Sequence, residues 1–146
     1  MKVKDCMCHN VTWCKPETLV ADCAKMMCNG HIGCIPVCDN ENKVVGLVTD
    51  RDILLRCVAC DKDSKTIPVS DIMSCNVCCC EPNTKIEEAE NLMAENQIRR
   101  IPVIENNKIV GILTLGDLAN NQNMSEESIC DTLENICDCN NAKNNG

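Results

Sequence analysis

Two segments set a hydroxyl and a carboxylate at one spacing: Gly46-Leu47-Val48-Thr49-Asp50-Arg51-Asp52 and Gly111-Ile112-Leu113-Thr114-Leu115-Gly116-Asp117. In each, an apolar run ends on Thr and an Asp follows three residues later. The pattern predicts a strand passing into a helix, where free N–H groups and the helix dipole favour an anion. The Asp stands one turn into the helix and faces the same way as the Thr. An ionised carboxylate only accepts hydrogen bonds, which suits Asp52 and Asp117 to adjacent hydroxyls such as a ribose diol. Helix capping is the plainer explanation of a single copy. Recurrence at matching positions, with glycine in phase, favours a binding role.

The recurrence extends far beyond this motif. Residues 3–54 realign on residues 69–119, with pairs such as Asp5/Asp71, Met7/Met73, Pro16/Pro82, Thr18/Thr84 and Ile35-Pro36-Val37/Ile101-Pro102-Val103. Such internal periodicity dictates architecture, and two copies are too few for an open solenoid, which needs about three. The expected layout is a first repeat over residues 1–60, a linker over 61–68, a second repeat over 69–120, and a C-terminal helix with a frayed tail over 121–146. The copies are expected to pack with two-fold pseudosymmetry, presenting paired polar groups to a cleft between them.

Each copy reads as β-α-β-β-α, an α+β fold class built of α/β-type units. Short opening strands are expected at Val11-Thr12-Trp13 and Val77-Cys78-Cys79, before Pro16 and Pro82. In the second copy Thr84 and Glu87 have the spacing of a capping box. Ile86, Ala89, Leu92 and Met93 recur at helical spacing, matched by Val20, Cys23, Met26 and Met27 in the first copy, whose helix should end with Gly30 at C′. Two strands then flank the turns Asp39–Asn42 and Asn106-Asn107. A last helix is expected over 125–137, with Ser125 as N-cap and Ile129, Leu133 and Ile136 on one stripe.

Composition narrows the function. At 45% hydrophobic and 25% charged, the chain is ordinary for a globular protein. No run approaches the roughly 20 apolar residues of a membrane span, and the N-terminus lacks the apolar core of a signal peptide. A cytoplasmic protein is expected. The net charge of −8 argues against nucleic acid, which needs clustered Lys and Arg. With neither Phe nor Tyr, a ring-shaped ligand would have to lie between aliphatic side chains. Sixteen cysteines would mean disulfides in a secreted chain, but here they read as reduced thiols acting as small hydrophobes.

The β-α-β-β-α unit, the apolar-Pro-Val strands and the paired Thr-x-x-Asp motifs resemble a tandem pair of CBS domains, the Bateman module, over about residues 3–119. The resemblance implies two domains packed by their sheets and two such pairs forming a disc-shaped homodimer. It also implies clefts that bind AMP, ADP, ATP or S-adenosylmethionine. Carried over by position, Asp52 and Asp117 take ribose hydroxyls, and Thr49 and Thr114 the ribose-phosphate region. Val11, Thr12, Val77 and Cys78 offer backbone groups to the base edge, and Ile35, Pro36, Ile101 and Pro102 form aliphatic walls. Arg99 and Arg100 stand where the family often places phosphate-contacting basic residues. The first copy has Gly33-Cys34 there, partly offset by Arg51, so the two half-sites are expected to be unequal.

The rival reading is a metal or redox protein. Cys57, Cys60, Cys75 and Cys78 form two C-x-x-C pairs whose separation is close to that of zinc sites, although sixteen cysteines make such spacings easy by chance. A catalytic role is not expected. His9 and Cys8 are adjacent and would point to opposite faces of a strand, and His31 suits a helix C-terminus. Trp13 is read as a packing residue. The favoured reading is a free-standing, non-enzymatic regulatory module, with no catalytic cofactor, that binds an adenosine-containing ligand and signals by population shift to an unidentified effector protein. Exposed apolar faces on its four short helices would make it a homodimer.

Overall fold

The computed structural model of the chain describes residues 1–121 together with Cys130, Leu133, Glu134 and Ile136. In the first repeat, helix α1 (Val20–Gly30) precedes strands β1 (Cys34–Cys38) and β2 (Val44–Thr49). The following helix begins as α2 (Asp50–Asp52) and continues in π geometry over Ile53–Val58. The second repeat supplies α3 (Ile86–Asn96), β3 (Arg100–Glu105), β4 (Lys108–Thr114) and α4 (Leu115–Ala119). The periodic residues turn inward as the spacing predicts: Val20, Cys23 and Met27 are buried on α1, and Ile86, Ala89 and Met93 on α3. Three- and seven-residue steps return to one face of a helix.

Each pair of strands is an antiparallel hairpin. In the first, Cys34 faces Thr49, Ile35 faces Val48 and Pro36 faces Leu47. The Asp39 carboxylate accepts from the N–H groups of Glu41 and Lys43 at 2.8 and 3.0 Å, closing the first turn. In the second, Asn106 and Asn107 adopt left-handed φ of 54° and 65°, a conformation that Asn tolerates better than most residues.

Four local expectations are corrected. The opening strands shrink to isolated parallel bridges, Cys14 with Val37 and Cys80 with Val103. Pro16 and Pro82, two residues on, lack the N–H that a longer ladder would use. Thr84 does not cap α3: its hydroxyl accepts from the Glu81 N–H at 3.0 Å, as that of Thr18 does from Lys15 at 3.1 Å. Both hydroxyls close the four-residue turn that contains the proline. The left-handed residue ending α1 is His31, not Gly30, at φ 51°. Trp13 is half-buried and belongs to neither core cluster.

The chain forms two compact units that cut across the sequence repeats. One comprises Thr12–Val77 with Asn106–Ile109; the other comprises Met1–Val11, Cys78–Glu105 and the described residues from Val110 onward. Each unit therefore joins the body of one repeat to the segment that opens the other. In the first, Val69 donates to the Thr18 carbonyl at 2.7 Å, and Leu47 and Ser74 exchange two backbone hydrogen bonds of 2.9 Å. In the second, Val3 donates to Thr84 at 2.9 Å, while Cys8 and Ile112 exchange bonds of 2.9 and 3.0 Å. Val69 and Ile72 enter the first core and Val3 the second.

Most of the expected last helix, including Ser125 and Ile129, and the tail lie outside the described residues. Of its stripe, Ile136 packs against the second core, whereas Leu133 is exposed.

Candidate functional site

Both Thr-x-x-Asp corners form, and they are built alike. Thr49 ends β2; its Oγ1 accepts from the Asp52 N–H at 3.1 Å, and Asp52 Oδ2 accepts from the Thr49 N–H at 3.0 Å. Thr114 and Asp117 repeat the exchange at 3.0 and 2.9 Å. The capping function is thus realised in both repeats. It fixes each carboxylate through one oxygen and leaves the other, Oδ1, outside the reciprocal pair.

Each corner is tied back to the residue preceding the first strand of its hairpin. Asp50 donates to the Gly33 carbonyl, and Leu115 to the Arg99 carbonyl, both at 2.9 Å. This brings the backbone of Arg99 beside the second corner and puts Gly33 at the equivalent place in the first. Arg99 and Arg51 are exposed and Arg100 is half-buried.

The remaining expected residues are placed less uniformly. The carbonyls of Pro36 and Pro102 accept from the N–H groups of Cys14 and Cys80 at 3.0 and 3.1 Å, so they hold the opening segments. Ile35 and Ile101 have 0% exposure within the two cores. Their role as ligand walls is therefore corrected: in strands, alternate residues face opposite sides, and both point inward. Thr12 is exposed, whereas Val11, Val77 and Cys78 are half-buried.

Arg56 is a residue the sequence reading missed. It stands four positions after Asp52, a spacing that brings side chains together on a helix. Its Nε lies 3.8 Å from Asp52 Oδ1, and its Nη1 donates to the Ile72 carbonyl at 3.2 Å.

The proposed Cys57, Cys60, Cys75 and Cys78 tetrad is not assembled. Among the described residues, no three His, Cys, Asp or Glu side chains form a group that could hold a metal. Cys57 faces the core and donates to the Lys62 carbonyl at 3.6 Å, whereas Cys60 turns back to the Leu55 carbonyl at 3.4 Å. Among the described residues no disulfide joins the cysteines. Cys14 and Cys23 lie together in the first core, where the Cys14 thiol hydrogen-bonds the Cys23 sulfur, raising Cys14 and lowering Cys23. Burial, followed by the charge of Cys78, pushes Cys79 up to about 11. Burial, followed by neighbouring thiols and Glu81, pushes Cys80 up to about 12.

Two repeats of one helix-hairpin-helix unit, each ending its hairpin in the same Thr/Asp exchange, define a tandem-repeat module. The CBS domain pattern matches residues 3–59 and 69–123, and the chain belongs to the CBS-domain family. It is 43% identical over 134 residues to the CBS domain-containing protein YhcV of Bacillus subtilis, covering 92% of this chain and 94% of that protein. The crystal structure of Hypoxic Response Protein I with two coordinated zinc ions superposes with a TM-score of 0.78 at 30% identity, covering 83% of this chain and 98% of the other. CBSX2 in complex with AMP superposes with a TM-score of 0.69 at 32% identity, covering 80% and 91%. No helix among the described residues is long and apolar enough to cross a membrane.

Proposed function

We propose that this CBS pair is a regulatory module that binds an adenosine-containing ligand of the AMP, ADP, ATP or S-adenosylmethionine class through its Thr-x-x-Asp corners. The observation that carries the reading is the reciprocal Thr/Asp exchange, present twice with the same atoms and nearly the same distances. Each exchange holds a carboxylate in one orientation before any ligand arrives, which lowers the ordering cost of binding. The similarity to CBSX2, whose structure contains AMP, supports the same ligand class. At a corner that carries ligand, the threonine (Thr49 or Thr114) serves the ribose-phosphate region and the aspartate (Asp52 or Asp117) serves the ribose hydroxyls. Arg51, Arg99 and Arg100 supply positive charge, and backbone groups of Val11, Thr12, Val77 and Cys78 meet the base.

Binding shifts the population of conformations that an effector protein reads. The module acts in the cytoplasm as a homodimer. The test is a thermal-shift panel of AMP, ADP, ATP and S-adenosylmethionine under reducing conditions. A ligand at about 100 times its Kd stabilises by roughly 2.7 kcal/mol, a rise in Tm of about 5–10 °C. No shift with any of the four at millimolar concentration would overturn the proposal.

A further inference from the structure

The residue four positions beyond the corner carboxylate does equivalent structural work in the two repeats, but with different charge. In the first it is Arg56, whose Nη1 donates to the carbonyls of Ile72 at 3.2 Å and Met73 at 3.5 Å. In the second it is Asn121, whose Nδ2 donates to Cys6 Sγ at 2.9 Å. Ile72 and Cys6 hold matching places in the segments that open the two repeats, as the pairs Asp71/Asp5 and Met73/Met7 show. Arg56 on the corner helix, and Asn121 just beyond it, thus lace each corner to the opening segment of the other repeat. Only Arg56 brings a cation with it.

That cation changes what the carboxylate can offer. Asp52 Oδ2 is taken by the Thr49 N–H at 3.0 Å, and Oδ1 faces Arg56 Nε at 3.8 Å. The Asp52 side chain is 11% exposed, so little of it remains to accept from a ligand hydroxyl. Asp117 Oδ2 is likewise taken, by the Thr114 N–H at 2.9 Å. No lysine or arginine among the described residues pairs with Asp117, and it is half-buried rather than buried. Charge-assisted hydrogen bonds to a carboxylate are about twice as strong as neutral ones, so an uncompensated carboxylate is the better acceptor for a diol.

Building on the nucleotide reading above, we infer that Arg56 is a positioning residue that locks Asp52 into the structure, so that one ligand binds per chain, at the Thr114–Asp117 corner. Arg99 and Arg100 agree with this assignment, against Arg51 alone in the first corner. The Arg99 carbonyl anchors Leu115 at 2.9 Å, which puts Arg99 and Arg100 beside the second corner, whereas Gly33 and Cys34 stand beside the first.

The experiment is isothermal titration of the full chain with AMP under reduction. The expected result is one AMP per chain, and a loss of affinity of about tenfold or more on Asp117→Asn, the scale of one charge-assisted hydrogen bond. Arg56→Asn, which copies the second repeat into the first, should raise the stoichiometry to two per chain. Adding Asp52→Asn to that variant should return it to one, a readout that a merely structural role for Arg56 would not move. Two equivalents in the wild type, or one equivalent that survives Asp117→Asn at full affinity, would overturn the assignment even if Arg56→Asn failed to fold. A folded Arg56→Asn that still binds one AMP would also overturn it. No binding of AMP, ADP, ATP or S-adenosylmethionine by the wild type would remove the nucleotide reading itself, an outcome distinct from binding with the wrong stoichiometry.

Discussion

Met73 occupies the space that a side chain on Gly46 would need: a Cβ there would lie 2.5 Å from Met73 Sδ. The relation is reciprocal across the repeats, because a Cβ on Gly111 would lie 2.8 Å from Met7 Sδ. The glycine that opens each Gly-x-x-Thr-x-x-Asp motif is therefore a seat for the methionine that opens the other repeat. In the second unit this contact joins Met1–Val11 to the sequence-distant body of the other repeat, and in the first it closes Thr12–Val77 on itself.

The two seats differ in what else they touch, and this predicts unequal costs. A Cβ on Gly111 would also come within 2.9 Å of the Cys8 carbonyl, whereas one on Gly46 would lie 3.2 Å from the Ser74 carbonyl. A thioether tip can swing aside, but a carbonyl held in a two-bond backbone bridge cannot do so cheaply. Gly111→Ala should therefore destabilise more than Gly46→Ala, with overpacking costs of about 1–3 kcal/mol. Urea denaturation of both variants measures this, and the reverse order would contradict it.

The corners make a second prediction. Thr49→Ala and Thr114→Ala each remove an N-cap acceptor and should cost about 1 kcal/mol of stability, with Ser restoring most of it. Asp52→Ala and Asp117→Ala remove the other half of each exchange and should weaken AMP binding unequally, by about 1.5–3 kcal/mol at the corner that carries the ligand. Titration calorimetry separates the two. Normal folding with wild-type affinity in both Asp variants would place the ligand elsewhere.

Much of this was legible in the chain. The repeats, the helix faces at Val20, Cys23 and Met27, and the strand-to-helix corners follow from spacing, because helix and strand periods are local properties. Which segment each repeat packs against was not legible. Val3 and Val69 read as ordinary apolar residues, and only the folded chain shows each in the core of the unit built on the other repeat's body. Ile35 and Ile101 were misassigned for a related reason, since alternation along a strand does not say which side is covered. Arg56 lay in plain view at four residues from Asp52, but its weight comes from the Ile72 carbonyl, a contact sixteen residues away.

The thiols set a pH dependence. Cys79 and Cys80 are raised from an ordinary 9.0 to about 11 and about 12, each chiefly by burial. A group whose pKa is raised by folding lends stability that is complete below its unfolded value and lost as pH climbs to the folded one. Tm should thus fall progressively between about pH 9 and 11 under reduction, and Cys79→Ser or Cys80→Ala should flatten that fall. A Tm that is level across this range, in protein shown by mass to be unmodified, would contradict the assignment.

The last prediction concerns assembly, and here the structure narrows the expectation. Four apolar helix faces were anticipated, but the exposed large hydrophobic side chains of the described helical elements α1–α4 and the π turn are Leu54, Leu55 and Val58. All three stand on the helix that follows the first corner, within its π turn. At the places that match Leu54 and Leu55 in the second repeat, Ala119 and Asn120 offer little apolar surface. Leu54 and Val58 are 58% and 59% exposed and one helical turn apart, so they form a continuous stripe. A stripe confined to one helix is covered most simply by the same stripe of a second copy, since two-fold contacts bring a surface onto itself. A homodimer of about 32 kDa, twice the 16.1 kDa of the chain, is expected by light scattering with all thiols reduced. Leu54→Lys with Val58→Glu should convert it to a monomer without lowering its helical signal. Persistence of the dimer in that folded variant would move the interface elsewhere, and a wild type that dimerises only on oxidation would assign the joining to exposed thiols such as Cys28 and Cys60.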